Sequence, residues 1–165
     1  MAALESGKIA PAFALHLMSG GEFSLQDALA HGPVVLAFFK ISCPVCQFTF
    51  PYLERIHKAA KGKDVTIVGV SQNTAAETAA FARQFGITFP IAIDDERTYR
   101  VSNDYGLTNV PTVFYVAEDG EIEVSSVGWS RQDMELIAQK IGERARSGKI
   151  EVIRAGEKVP EFKAG

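Results

Sequence analysis

The stretch Val34–Cys46, VVLAFFKISCPVC, joins a run of six apolar residues to a pair of cysteines three positions apart. The apolar run, Val34–Phe39, is typical of a strand that is covered on both faces of a sheet. Pro44 suits the first position of a helix, where no backbone N–H is needed, so the sequence predicts a helix over 43–61 with Cys43 as its N-cap. The two cysteines are therefore expected where a buried strand passes into a helix.

This placement favours redox chemistry at the two cysteines. Positions three apart on a first helical turn face the same way, so the two sulfurs can approach bonding distance. The free N–H groups and the dipole at a helix N-terminus stabilise a thiolate, and the amides of Val45 and Cys46 are the expected donors to it. We therefore predict that Cys43 is the nucleophile and that Cys46, one turn deeper, resolves the mixed disulfide.

The rest of the chain predicts an α/β fold. Strands and helices alternate first, and an antiparallel hairpin followed by one helix closes the chain, which indicates a partly parallel sheet with helices on both faces. No assignment is made for the tail after 148, although 150–153 is strand-like. The predicted elements are an N-terminal hairpin of 13–18 and 22–25 with a two-residue Gly20-Gly21 turn, strands over 65–70, 89–93, 113–116 and 122–127, and helices over 74–86, 96–105 and 130–148.

Length and charge narrow the class of protein. A chain of 165 residues suits a single domain over 1–165, with a core over about 8–147 and a C-terminal tail over 148–165. A net charge of −3 favours neither nucleic acid nor an anionic membrane as partner. No apolar run approaches the roughly 18 residues that a membrane span needs. Residues 1–8 lack a basic start and an apolar stretch, which predicts a cytoplasmic protein.

The two cysteines are the only ones in the chain. A disulfide framework would need more of them, spread along the sequence. A structural zinc site would need four ligands, and the three histidines, His16, His31 and His57, have no ligand spacing to the pair or to each other. We therefore expect no metal and no cofactor, and favour redox chemistry over a zinc half-site or an inert disulfide.

Several motifs together resemble the thioredoxin superfamily, and in particular its redoxin branch, the TlpA/ResA-like proteins related to AhpC/TSA. They are the strand–Cys-x-x-Cys–helix unit, Pro51 five residues after Cys46, Val110-Pro111-Thr112 before a strand, and the inserted helix and strand over 74–93. The resemblance covers about 8–140. It implies a thioredoxin-like fold with a central mixed sheet, and a cis Val110–Pro111 peptide against the cysteines, where the backbone binds an extended substrate.

The sequence departs from that family at several positions, among them Pro44-Val45 between the cysteines, where thioredoxin has Gly-Pro. Ser42 stands where most relatives have tryptophan before the first cysteine, so one large apolar contact for partners is missing. The buried acid of thioredoxin would fall at Ala37, and the glutamate of ResA-like proteins would fall at Thr49. Neither side chain can accept a proton, so the sequence names no base for Cys46.

These observations predict a thiol–disulfide oxidoreductase, and in particular a disulfide reductase. Its expected partners are a protein or small-molecule disulfide and a thiol electron donor, and we expect a monomer. One alternative is a peroxiredoxin-like peroxidase, but its Pro-x-x-x-Thr-x-x-Cys pattern falls on Leu36 and Lys40 before Cys43, or on Phe39 and Cys43 before Cys46. The other is a non-catalytic thioredoxin-like domain that carries the pair as a redox sensor.

Overall fold

The computed structural model describes residues 2–165 and contains nine strands and five helices in that part of the chain. The strands are β1 (Ala14–His16), β2 (Glu22–Ser24), β3 (Val34–Phe39), β4 (Thr66–Ser71), β5 (Ile91–Ile93), β6 (Thr112–Val116), β7 (Ile122–Val127), β8 (Trp129–Ser130) and β9 (Phe162–Lys163). The helices are α1 (Leu25–Leu29), α2 (Pro44–Ala60), α3 (Ala75–Phe85), α4 (Arg100–Asp104) and α5 (Arg131–Arg144). None of the helices within 2–165 has both the length and the apolar character that would let it cross a bilayer.

Five strands form the central sheet in the order β5-β4-β3-β6-β7. β3, β4 and β5 are parallel, whereas β6 pairs antiparallel with β3 and β7 pairs antiparallel with β6. The predicted mixed sheet is therefore confirmed. β3 lies at its centre with all six residues buried, because both of its neighbours and both sheet faces cover it.

Each face of the sheet has its own apolar core. Alternate β3 side chains, Val35, Ala37 and Phe39, pack with buried residues of α2, α3 and α5. Their neighbours on the strand point to the other face, where α1, α4 and the N-terminal hairpin cover them. The predicted arrangement of helices on both faces is confirmed, and it places the C-terminal end of β3 against the start of α2.

The helix ends follow the capping residues that the sequence contains. Thr74 and Glu77 form a capping box at the predicted start of α3, since the Thr74 hydroxyl accepts from the Glu77 amide and the Glu77 carboxylate accepts from the Thr74 amide. Gly86 ends that helix with a φ of 67°, a left-handed conformation that glycine adopts without strain. Pro44 is the first residue of α2, as predicted.

The predicted two-residue turn at Gly20-Gly21 is wrong. Residues 17–21 form a longer connection between β1 and β2, in which the Leu17 amide donates to the Gly21 carbonyl. The physical reason lies in β5, because Leu17 also bridges to Ala92 and Met18 donates its amide to the Ile91 carbonyl and not to β2.

Other differences concern short or late segments. Leu25 begins α1 and does not extend the hairpin, since Ser24 caps a single turn that buries Leu25 and Leu29. The helix expected over 96–105 is confined to Arg100–Asp104, and the last helix ends at Arg144. The strand-like stretch 150–153 forms no strand, but Ile150 and Val152 are buried against the core beside α2 and α5.

Candidate active site

The two cysteines lie at the first turn of α2, where β3 and a short loop end. Cys43 is the N-cap, with an extended backbone at φ −82° and ψ 115°. Its Sγ accepts a hydrogen bond from the Cys46 amide at 3.1 Å and so takes the place of a capping oxygen. The expected bond from Cys46 is therefore present, whereas no bond from the Val45 amide to this sulfur is found within residues 2–165.

The environments of the two thiols differ strongly. The Cys43 thiol is half-buried, whereas Cys46 is fully buried among apolar side chains. This burial raises the pKa of the Cys46 thiol well above its usual range, and the hydrogen bond with Cys43 raises it further. Cys46 therefore stays a neutral thiol at physiological pH, and Cys43 is the sulfur that solvent and substrate can reach.

The Val110–Pro111 peptide lies directly against Cys43. This peptide bond is cis, as the family resemblance implied. The Cys43 thiol donates to the Val110 carbonyl oxygen at 3.4 Å, across 67 positions of sequence. The structure thus brings together all four residues that the sequence singled out, namely Cys43, Cys46, Val110 and Pro111.

The loop before Cys43 is held by two polar side chains that the sequence analysis missed. Gln47 donates its side-chain amide to the Ile41 carbonyl at 2.9 Å, and Asn73 accepts from the Ile41 amide at 3.0 Å. Gln47 lies on α2, and Asn73 follows β4, so the loop is fixed to both neighbouring elements. The only signal in the sequence was that Asn73 directly precedes the predicted start of α3.

No carboxylate stands at the two positions where related proteins keep one. Ala37 is buried in the centre of β3, and Thr49 is buried one turn after Cys46. The Thr49 hydroxyl has no hydrogen-bond partner within the part of the chain that the structure describes. Glu54 is the buried acid of α2, but its carboxylate is occupied by the amides of Thr88 and Phe89 and by the Thr88 hydroxyl.

A cleft of about 230 Å³ adjoins the site, with Lys40 and Val110 in its lining. The exposed Lys40 ammonium lies 6.0 Å from the centre of the Tyr99 ring. Gln72 lies deeper and donates to Ser102, whose hydroxyl in turn donates to the buried Asp94 carboxylate. The cleft is therefore a concave surface of mixed polarity that reaches Val110, the residue whose carbonyl accepts from the Cys43 thiol.

Comparisons with known proteins agree with this geometry. The AhpC/TSA family profile matches residues 6–125. Thiol-disulfide oxidoreductase ResA of Geobacillus kaustophilus is 33% identical over 141 residues, which are 84% of this chain and 79% of that protein. Thioredoxin-like protein YneN of Bacillus subtilis is 32% identical over 137 residues, 80% of this chain and 78% of that protein. The solution structure of a candidate protein disulfide isomerase from Bacteroides thetaiotaomicron covers 88% of this chain and 95% of its own, with a TM-score of 0.79 at 21% identity.

Fold, cysteine pair and relatives together define a thioredoxin-like thiol–disulfide oxidoreductase. The chain belongs to the AhpC/TSA family. The predicted family, fold and enzyme class are thereby confirmed.

Proposed function

We propose that Cys43 and Cys46 are the redox-active dithiol and that the protein reduces disulfides. The observation that carries this proposal is the position of the Cys43 sulfur, which caps α2, touches the Val110 carbonyl and is the more accessible of the two thiols. A half-buried thiolate at a helix N-terminus is well placed to attack, and a buried thiol three residues later is well placed to resolve.

The proposed exchange balances as two successive displacements. The Cys43 thiolate attacks one sulfur of the substrate disulfide, forms a mixed disulfide and releases the first substrate thiolate. Cys46 then attacks the Cys43 sulfur, giving its proton to a departing thiolate and releasing the second substrate thiol. The protein is left with a Cys43–Cys46 disulfide, and an external thiol donor returns two electrons to it.

The direction of the reaction follows from how the reduced form is stabilised. Strong oxidants of this superfamily owe their potential to a stabilised reduced form. Here the Cys43 sulfur receives one amide N–H, Pro44 offers none, and the Val110 carbonyl oxygen faces the same sulfur. The Cys43 sulfur thus accepts a single amide hydrogen bond within residues 2–165, which favours a reducing couple.

The first experiment is the equilibrium reduction potential of the Cys43–Cys46 pair, measured by thiol alkylation in glutathione and dithiothreitol buffers. We expect a value near that of thioredoxin, roughly −270 mV. A value near −120 mV would identify an oxidant instead. If no intramolecular disulfide forms at any buffer potential, the dithiol assignment is wrong. Hydrogen peroxide consumption then tests the alternative of a peroxiredoxin-like peroxidase, and a partner-binding assay tests that of a non-catalytic domain.

The Cys43→Ser and Cys46→Ser variants are the matched controls for this measurement, since neither can form the intramolecular bond. Cys46→Ser should still form mixed disulfides with substrate, whereas Cys43→Ser should not.

The cytoplasmic location and the monomeric state stay predictions, which cell fractionation and sedimentation test.

A further inference from the structure

The last nine residues, 157–165, form an ordered segment that we call the C-terminal strap. Its first residue, Glu157, pairs with the Arg55 guanidinium of α2 through two hydrogen bonds of 2.6 and 2.9 Å. Further along, the Trp129 indole N–H donates to the Pro160 carbonyl at 2.7 Å. β9 then pairs antiparallel with β8, with Lys163 opposite Trp129. The strap is thus attached to the same helix that carries the cysteines.

The end of the strap lies against the Val110–Pro111 peptide. Gly128 donates its amide to the Pro111 carbonyl at 2.8 Å, and the Lys163 carbonyl is so close that a Cβ on Gly128 would overlap it. A Cβ on Gly165 would likewise overlap the Val110 carbonyl oxygen. The Asn109 side chain donates to the Gly165 carbonyl at 3.3 Å. The strap backbone therefore lies next to the Val110 carbonyl, which accepts the hydrogen bond from the Cys43 thiol.

This position restricts what can reach Cys43. A mixed disulfide links the substrate covalently to the Cys43 sulfur. The parts of the substrate next to its own sulfur must therefore fit the protein surface around Cys43. An extended polypeptide binds most readily along free backbone edges, by main-chain hydrogen bonds. The strap already lies along the backbone beside Val110, so a polypeptide would have to displace it.

A cleft of about 230 Å³ adjoins the site, and its lining includes Val110 and the exposed Lys40. Asn103 and Asn109 line it too, but their side-chain amides donate to the Thr98 and Gly165 carbonyls. The Lys40 ammonium carries a positive charge and three N–H donors, so this side of the site suits a carboxylate. A small disulfide with carboxylate groups could enter from this side without moving the strap.

We propose that the strap determines specificity by keeping extended polypeptides away from the backbone of Val110 and Pro111, so that Cys43 reacts with small carboxylate-bearing disulfides. The inference rests on the proposed function and names its substrate class. The chemistry is the same exchange: cystine accepts two electrons and becomes two cysteine molecules, while Cys43 and Cys46 form their disulfide.

The test compares cystine with insulin as oxidants of the reduced protein, freed of other thiols, with formation of the Cys43–Cys46 disulfide followed by alkylation. One variant lacks residues 161–165. A second, Lys163→Pro, keeps the whole chain and removes a backbone N–H from the β8–β9 ladder. Lys158→Ala, an exposed strap position, is the matched control. Circular dichroism checks that each variant is folded.

We expect both strap variants to react with insulin about tenfold faster than the natural chain, with cystine rates changed less than about twofold. Unchanged insulin rates would overturn the proposal, since the strap would then be no barrier. Equal gains with both oxidants, or losses with both, would also overturn it, because the strap would then act on the cysteines and not on substrate choice. If the natural chain and its variants react with no disulfide, the proposed function fails and this proposal falls with it.

Discussion

At the scale of single residues, the asymmetry between the two thiols gives a direct prediction. The raised pKa of Cys46 means that its thiolate forms only at higher pH than that of an ordinary thiol. We therefore expect a single equivalent of iodoacetamide near pH 7 to modify Cys43 almost alone in the reduced protein. Peptide mapping by mass spectrometry reads the site of modification.

The Cys43→Ser variant extends this prediction to Cys46. Its remaining thiol should stay unreactive up to about pH 9, because burial and not the neighbouring thiol is the larger cause of the raised pKa. The urea-unfolded natural protein is the control, and in it both cysteines should react at the same rate. Rapid modification of Cys46 in the folded variant would contradict the burial that the structure shows.

The placement of the two cysteines and of Pro44 could be predicted from the sequence because the signals are local. Cys43, Pro44 and Cys46 lie within four positions, and a helix N-terminus imposes its geometry on them whatever surrounds it. The bracing side chains Gln47 and Asn73 could not be predicted. Asn73 binds Ile41 across 32 positions, and nothing in either local pattern points to the other.

At the scale of elements, the ion pair that begins the strap gives a pH-dependent prediction. The Arg55 guanidinium lowers the pKa of Glu157 from 4.5 to about 2. A carboxyl whose pKa is lower in the folded state stabilises the fold when it is charged. Its contribution is therefore complete above about pH 4.5 and is lost as the pH falls to about 2.

Glu157→Gln should thus lower the free energy of unfolding at pH 7 but not near pH 2. Urea denaturation at both pH values measures the difference. Glu161→Gln is the control, because within residues 2–165 the Glu161 side chain makes no hydrogen bond and only its backbone carbonyl accepts one, from the Arg131 amide. The stability of this variant should match that of the natural chain at both pH values. An equal loss from Glu157→Gln at both pH values would mean that packing, and not charge, holds the strap.

Long helices and strands whose ends carry capping residues or a glycine were predicted well, whereas two-residue strands were not. α3 carries a capping box and a C-terminal glycine, so both of its ends follow from the sequence. β8 and β9 have two residues each, and their pairing spans more than 30 positions. Two residues cannot show a hydrophobic period, so the tail had no pattern to recognise and its course depends on tertiary contacts.

At the scale of the whole molecule, the redox state and the stability of the fold are linked. If the folded protein is a stronger reductant than its unfolded chain, the oxidised form must be the more stable one. Each 30 mV of difference corresponds to about 1.4 kcal/mol. We expect the oxidised protein to unfold at a higher urea concentration than the reduced protein.

Parallel urea titrations of the disulfide form and of the dithiol form test this, with the Cys43→Ser variant as a control that dithiothreitol should not affect. A more stable dithiol form would assign the protein to the oxidants, whatever its activity in a reductase assay. The comparison needs no knowledge of the natural substrate.

Trp129 is the single tryptophan of the chain, fully buried between the active-site helix and the strap. Its ring packs against Phe48 and Tyr52 of α2, and its indole N–H is held by Pro160. The natural protein therefore contains its own optical probe at the boundary between the strap and α2. Lifting the strap would hydrate this indole and shift its emission to longer wavelength, so one unlabelled fluorescence signal reports whether a given substrate displaces the strap.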